Sequence, residues 1–398
     1  MKTVWFAFVL LSLTAGAAAL GPRVSEPEVP APLPEVPDPQ TPAQAEIEVV
    51  FVLDTTGSMG GLIAAAKEKI WSIATTMAQA DPAPTIRMGL VAYRDRGDQY
   101  VTRLTPLSED LDQVYGTLME YSAEGGGDTP ESVAAGLNRA LTEGGWSQRE
   151  DVYRVIFLVG DAPPKRYQDE PGYAAVVRQA AARGIIVNTI RCGTSHQTET
   201  VWRQIAGLAQ GEFFSVGQDG DALAIVSPFD AELADLSAQL DATRLAYGDG
   251  TAKEAASAKS EATMKLHAEG SVAARARRAT FNASKAGHAN LYGKHDLLSA
   301  LAEGKVMLDE LDEEELPEVL KQMAPADRAA YVESRQSERD ALNARIETLA
   351  EQRDDYLSKR AEALDDVEES LDYKLGTTVM RQAAEKGMAY EEASAPRL

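Results

Sequence analysis

Three uninterrupted apolar stretches constrain this chain more than anything else in it: Val49-Val50-Phe51-Val52-Leu53, Val155-Ile156-Phe157-Leu158-Val159 and Ile185-Ile186-Val187. Side chains alternate across a strand, so a run without a polar position leaves no face for water and requires cover on both sides of a sheet. Helical spacing fills the gaps: Leu62, Ala66, Ile70, Ile73 and Met77 fall on one helical face,. Further strands are expected at 86–93, 99–104 and 212–216, and further helices at 111–121, 132–141, 173–182 and 201–209. Strands buried on both faces and separated by amphipathic helices predict an α/β fold over 46–230, a doubly wound and mostly parallel sheet. In such sheets ligands bind outside the carboxyl ends of the strands.

The flanks read differently. Residues 1–19, with Lys2, an apolar middle and Ala17-Ala18-Ala19, have the form of a cleaved export signal,. An uncleaved membrane anchor is the alternative; otherwise no transmembrane helix is expected. In 20–45, prolines at 27, 30, 32, 34, 37, 39 and 42 predict an extended spacer,. From 231 to 398 the pattern is helical. One long exposed helix is expected at 252–279, its basic end Arg275, Arg277 and Arg278 a solvated face, then a loop at 282–295, a helix at 297–308 and a solvent-facing acidic run at 309–315. Leu342, Ile346, Leu349, Tyr356, Leu364, Val367 and Leu371 approximate a heptad seam interrupted by Arg353 and Arg360. That pattern suits a helical hairpin packed on the protein, with a weak self-associating coiled coil as the alternative. A net charge of −23 argues against nucleic acid as a partner,. The single cysteine, Cys192, cannot form an internal disulfide and reads as a small core side chain,.

The chemistry concentrates at the end of the first strand, in Asp54-Thr55-Thr56-Gly57-Ser58-Met59. A carboxylate and two hydroxyls at alternate positions make half a shell of oxygen ligands for a hard cation. Thr129, in Gly127-Asp128-Thr129-Pro130-Glu131, and Asp161, in Val159-Gly160-Asp161, are candidates for the rest. Each has a blander reading: Thr129 as a helix N-cap before a proline, Asp54 as a cap of the next helix. Taken together, the five residues resemble the metal-ion-dependent adhesion site of von Willebrand factor type A domains, the integrin I-domain-like family, over about 46–230. The departure is Thr56, where many members carry serine; both present a hydroxyl.

The resemblance implies Thr56 and Ser58 as direct hydroxyl ligands, Thr129 joining in the ligand-ready state, and Asp54 and Asp161 acting directly or through water. It implies Mg2+, with Ca2+ or Mn2+ as alternatives, and a partner protein whose acidic side chain completes the shell. The acidic net charge is no obstacle, because distant charges are screened beyond about 8 Å while the ion acts at contact. The expected protein is therefore exported (periplasmic, secreted or cell-surface), not an enzyme, and a metal-dependent binder. A rival is a structural, envelope-organising module whose helices self-associate and whose metal only stabilises it.

Ser58, Asp161 and His196 follow the order of an α/β-hydrolase triad, a remote enzyme alternative. A nucleophile elbow needs glycine two residues before the serine, and Thr56 stands there,. Arg96-Gly97-Asp98 is an integrin-binding tripeptide in form, explained by turn chemistry. Arg94 and Asp95 are read either as bordering the partner surface or as pairing with each other. His267, His288 and His295 show no metal-ligand spacing.

Overall fold

The computed structural model describes residues 44–126, 130–217, 226–362 and 370–390. The export signal, most of the spacer, and the seam positions Leu364 and Val367 lie outside them. Six strands form one sheet: β1 (Glu46–Asp54), β2 (Thr85–Tyr93), β3 (Thr102–Ser108), β4 (Tyr153–Gly160), β5 (Ile185–Cys192) and β6 (Phe213–Val216), in the order β3-β2-β1-β4-β5-β6. All pairings are parallel except β2 with β3. The expected doubly wound sheet is present. Its third strand starts later than the sequence reading placed it, because 95–101 turn back on β2: Gly97 takes φ +101 and Arg94 N donates to Val101 O.

Alternation along β1 sends Val49, Phe51 and Leu53 into one core and Val50 and Val52 into another. The second core is covered by α3 (Val133–Glu143), α4 (Tyr173–Ala182) and α5 (His196–Leu208). Helix α5 begins five residues before the expected start because the Ser195 side chain accepts from Thr198 N and caps it,. The first core is covered by α1 (Gly60–Ala78) and α2 (Leu111–Glu120).

From residue 230 on follow α6 (Asp230–Asp241), α7 (Gly250–Glu269), α8 (Val272–Ala283), α9 (His288–Tyr292), α10 (Leu297–Ala302), α11 (Glu318–Lys321), α12 (Pro325–Glu362) and α13 (Leu371–Ala384), three of which cover that first layer. Helix α7 packs on α2, while α8 and α13 pack on α1. Trp71 of α1 is buried between Tyr115 of α2 and Phe281 of α8, ring centroids 5.6 and 5.7 Å away. Leu375, Val379 and Ala383 of α13, with Met388, enter the same core as Phe51 and Leu53. Gln382 exchanges two hydrogen bonds of 3.0 Å with Asn188 of β5 and accepts from Tyr153 Oη of β4 at 2.7 Å.

Three expectations for this region are corrected. The helix at 252–279 is two helices, broken where Ser271 Oγ caps α8 by accepting from Ala274 N. The stretch 282–295 contains α9. The basic end is not a solvated face: Arg278 is fully buried and Arg277 nearly so. Arg278 donates from Nε to Asp112 Oδ1 (2.5 Å), from Nη2 to Asp112 Oδ2 (2.7 Å) and from Nη1 to Asp241 Oδ2 (2.8 Å). Lys259 Nζ reaches Asp112 Oδ2 at 3.3 Å, so one carboxylate of α2 is held from both α7 and α8. Helix α12 lies along α6 and α8 through Leu342, Ile346 and Leu349, and the interrupting Arg353 is buried against Asp230 (2.8 Å). The acidic run at 309–315 is largely exposed, as expected. Among the described residues no helix is long and apolar enough to cross a membrane.

Candidate metal centre

The strand order reverses between β1 and β4, and the crevice of such a sheet opens at that point beyond the carboxyl ends,. β1 ends on Asp54, and β4 ends on Gly160 immediately before Asp161, so two carboxylates distant in sequence meet there. Gly160 makes the approach possible: a Cβ at that position would collide with Tyr93 Oη and press on Asp54 Cβ.

Asp54 is fully buried. Its Oδ1 accepts from Thr56 N (2.9 Å) and from Thr56 Oγ1 (2.6 Å), and that hydroxyl stands 3.5 Å from Ser58 Oγ. This is a turn bond to the second residue on, not a cap of the following helix. Oδ2 is buried with no hydrogen-bond partner among the described residues. Burial pushes the Asp54 pKa up to about 7; the Thr56 hydrogen bonds oppose this, the Asp161 charge adds to it, and Arg94 lowers it. Burial, then the same two carboxylates, raises Tyr93 well above the usual phenol range. Cys192 is also buried, as expected, and is raised by burial, Asp161 and Asp54 in turn.

A buried oxygen left without a donor costs free energy, and a divalent cation held by Asp54, Thr56, Ser58 and Asp161 would remove that cost. The donors are hard oxygens with few carboxylates, which fits Mg2+ in partial hydration better than a site rich in nitrogen or sulfur would. Among the described residues no group of three or more His, Cys, Asp or Glu side chains could hold a metal, so any ion here depends on the hydroxyls. Thr129, the fifth expected ligand, lies outside the described residues.

The loops around this point are tied together by residues that sequence reading did not single out for that work. Gly57 N donates to Gly125 O and Glu124 N to Thr55 O, both at 3.2 Å. Gly126, at φ +72, lies against Thr56, where a Cβ would come within 2.8 Å of the threonine Cβ. Arg94 and Asp95 neither face solvent nor pair with each other; both are buried, with separate partners. Arg94 donates from Nε to Thr55 O (3.1 Å) and from Nη2 to Ser122 O (3.0 Å). Asp95 accepts from Ser132 Oγ (2.8 Å), Lys165 Nζ (2.6 Å) and Tyr167 Oη (2.6 Å). Although burial opposes it, these bonds hold the Asp95 carboxyl below its ordinary range. The three bonds join the end of β2 to the start of α3 and to the loop after Asp161. Polarity at the end of a strand was the only sequence signal for this role.

Arg96-Gly97-Asp98 is used internally: Arg96 stacks 3.9 Å over the Tyr167 ring and pairs with Asp169 and Glu170, and Asp98 accepts from Gly126 N. His196 stands 98% exposed at the start of α5 with Glu199 3.8 Å away.

Residues 48–218 match the family model of the von Willebrand factor A domain. Over 125 residues the chain is 36% identical to von Willebrand factor A domain-containing protein 7 of Rattus norvegicus and 34% identical to that of Homo sapiens, in each case 31% of this chain and 12% of the relative. The chain thus spans roughly an eighth of the length of these curated relatives. Among solved structures, proximal thread matrix protein 1 from the mussel byssus, with a zinc-occupied MIDAS motif, aligns at 17% identity and TM-score 0.34, covering 44% of this chain and 43% of that one. The SpRpn10 VWA domain aligns at 11% identity and TM-score 0.35, covering 46% of this chain and all of that one. By family match and strand order, residues 48–218 are a von Willebrand factor type A domain.

Proposed function

We propose that this chain is an exported protein that binds a partner protein through a divalent ion held by Asp54, Thr56, Ser58, Thr129 and Asp161, with an Asp or Glu of the partner as the final ligand. Type A domains commonly mediate metal-dependent protein–protein interaction, and that is the coarse ground for the reading. The observation that carries it is Asp54 Oδ2, a buried carboxylate oxygen with no hydrogen-bond partner among the described residues, beside two hydroxyls and a second carboxylate. When bound, the ion supplies residual positive charge and an open coordination position. The protein supplies orientation: Thr56 fixes the Asp54 carboxylate through its amide and hydroxyl, and Asp95 and Arg94 hold the loops that carry the other donors. Export, Mg2+ as the ion, and the acidic partner belong to this proposal, and no catalytic step is assigned.

Calorimetric titration of Mg2+ into the wild type and Asp54→Ala tests it. Wild type is expected to bind, and the variant to lose more than the roughly 10–100-fold that outer-sphere changes cost. Equal affinity in both would remove the assigned site. Capture of a partner from the exported fraction in Mg2+ but not in chelator is the expected companion result.

A further inference from the structure

The two edges of the sheet are finished differently. On the β3 side, Pro106 offers no N–H and Leu107 N is taken by Gly144 O at 2.9 Å, so that edge is blunted at 106–107,. On the other side β6 pairs with β5 alone, and no described strand lies along its outer edge. A groove of about 630 Å³ runs there, between Arg203 of α5 on one face and Tyr373, Lys374, Thr377 and Arg381 of α13 on the other. Phe213 is half-buried in its floor with Arg203 stacked 4.1 Å from the ring, and Ser215 is exposed.

We propose that an extended acidic segment of a partner protein adds to this edge as a seventh strand. Edge addition draws affinity from main-chain hydrogen bonds and selectivity from the places where alternate side chains fall. Side chains pointing one way from the added strand meet Phe213 and Arg203; those pointing the other way meet Lys374 and Arg381. The charged lining is three basic residues against one acid, Glu212, in a chain whose net charge is −23. None of the three is unpaired: Arg203 is held by Glu199, Arg381 by Glu212 and Glu385, and Lys374 is engaged as well, with both arginine side chains more than half exposed. Exposed pairs of this kind are weakly held, so the guanidiniums change partners at little cost. The same arrangement could serve only to keep the edge from pairing with other chains, and that is the competing outcome of the test.

The probe is a fluorescent peptide alternating glutamate and valine, with a lysine-for-glutamate version as control. Both are titrated against the full chain in chelator, so that no metal-held carboxylate contributes and failure here is separate from failure of the metal site. Expected results are saturable anisotropy for the acidic peptide, slowed amide exchange at Phe213–Val216, and weakening of about tenfold or more in the Arg203→Glu/Lys374→Glu variant. Both positions lie at the surface rim, and an unchanged melting temperature shows that the variant folds. No binding, equal affinity for the two peptides, or full affinity in the folded double variant would each overturn the proposal.

Discussion

Asp54 and Asp112 are equally and completely buried, yet their surroundings shift them in opposite directions. Asp112 receives Arg278 on both oxygens and Lys259 on one, and although burial opposes it these charges hold its carboxyl far below the ordinary range. Among the described residues Asp54 receives only the amide and hydroxyl of Thr56, on one oxygen, and burial raises it. A buried carboxylate that is fully bonded works as structure, here fastening α2 to α7 and α8. One left half bonded at the open end of a sheet is arranged for something that arrives later.

The difference can be broken first at the finished site. Arg278→Ala leaves Asp112 and Asp241 buried without their shared guanidinium, and is expected to cost about 3–5 kcal/mol of stability in denaturant unfolding. A loss below about 1 kcal/mol would show that the network is not what joins the two layers. Next comes the frame of the unfinished site. Asp95→Asn removes the charge that Lys165 and Tyr167 converge on, and Mg2+ affinity by calorimetry should fall by roughly 10–100-fold while the fold persists. Unchanged affinity would make Asp95 a packing residue only.

The last test concerns Asp54 without metal. Its folded pKa of about 7 lies above the ordinary 3.8, so between those values the folded protein holds the proton more often than the unfolded chain. Stability in chelator therefore falls as pH rises through that window and stays lowered above it. Asp54→Asn should flatten this slope and melt a few degrees above the wild type at pH 8. Parallel pH profiles for the two proteins would show that Asp54 does not carry the charge cost assigned to it.

Much of the sheet was legible because its signal is local. Val49 to Leu53 or Val155 to Val159 can hardly be anything but strands covered on both faces, and Asp54 and Asp161 follow directly from where those strands stop. The outer layer was not legible for the opposite reason. Arg278 looks like a solvent residue until Asp112, 166 positions earlier, is placed beside it. Leu375, Val379 and Ala383 have helical spacing, but nothing near them in sequence says that their partner is the sheet rather than a hairpin neighbour. Asp95 was visible as a polar residue at a strand end; that it collects three loops depends on Ser132, Lys165 and Tyr167, whose positions only the fold supplies.

The docking of α13 also sets a clock on the making of this protein. The last sheet strand is complete at Val216, while the core beneath Phe51 and Leu53 is not closed until Met388. The roughly 170 residues between them, at about 5–20 residues per second, take on the order of 10–30 s to synthesise. For that interval an apolar wall lacks part of its cover, and the nascent chain needs either an escort or delayed folding. A stop codon before Leu371 would make the exposure permanent, so truncated products should be insoluble although every residue of the type A domain is present.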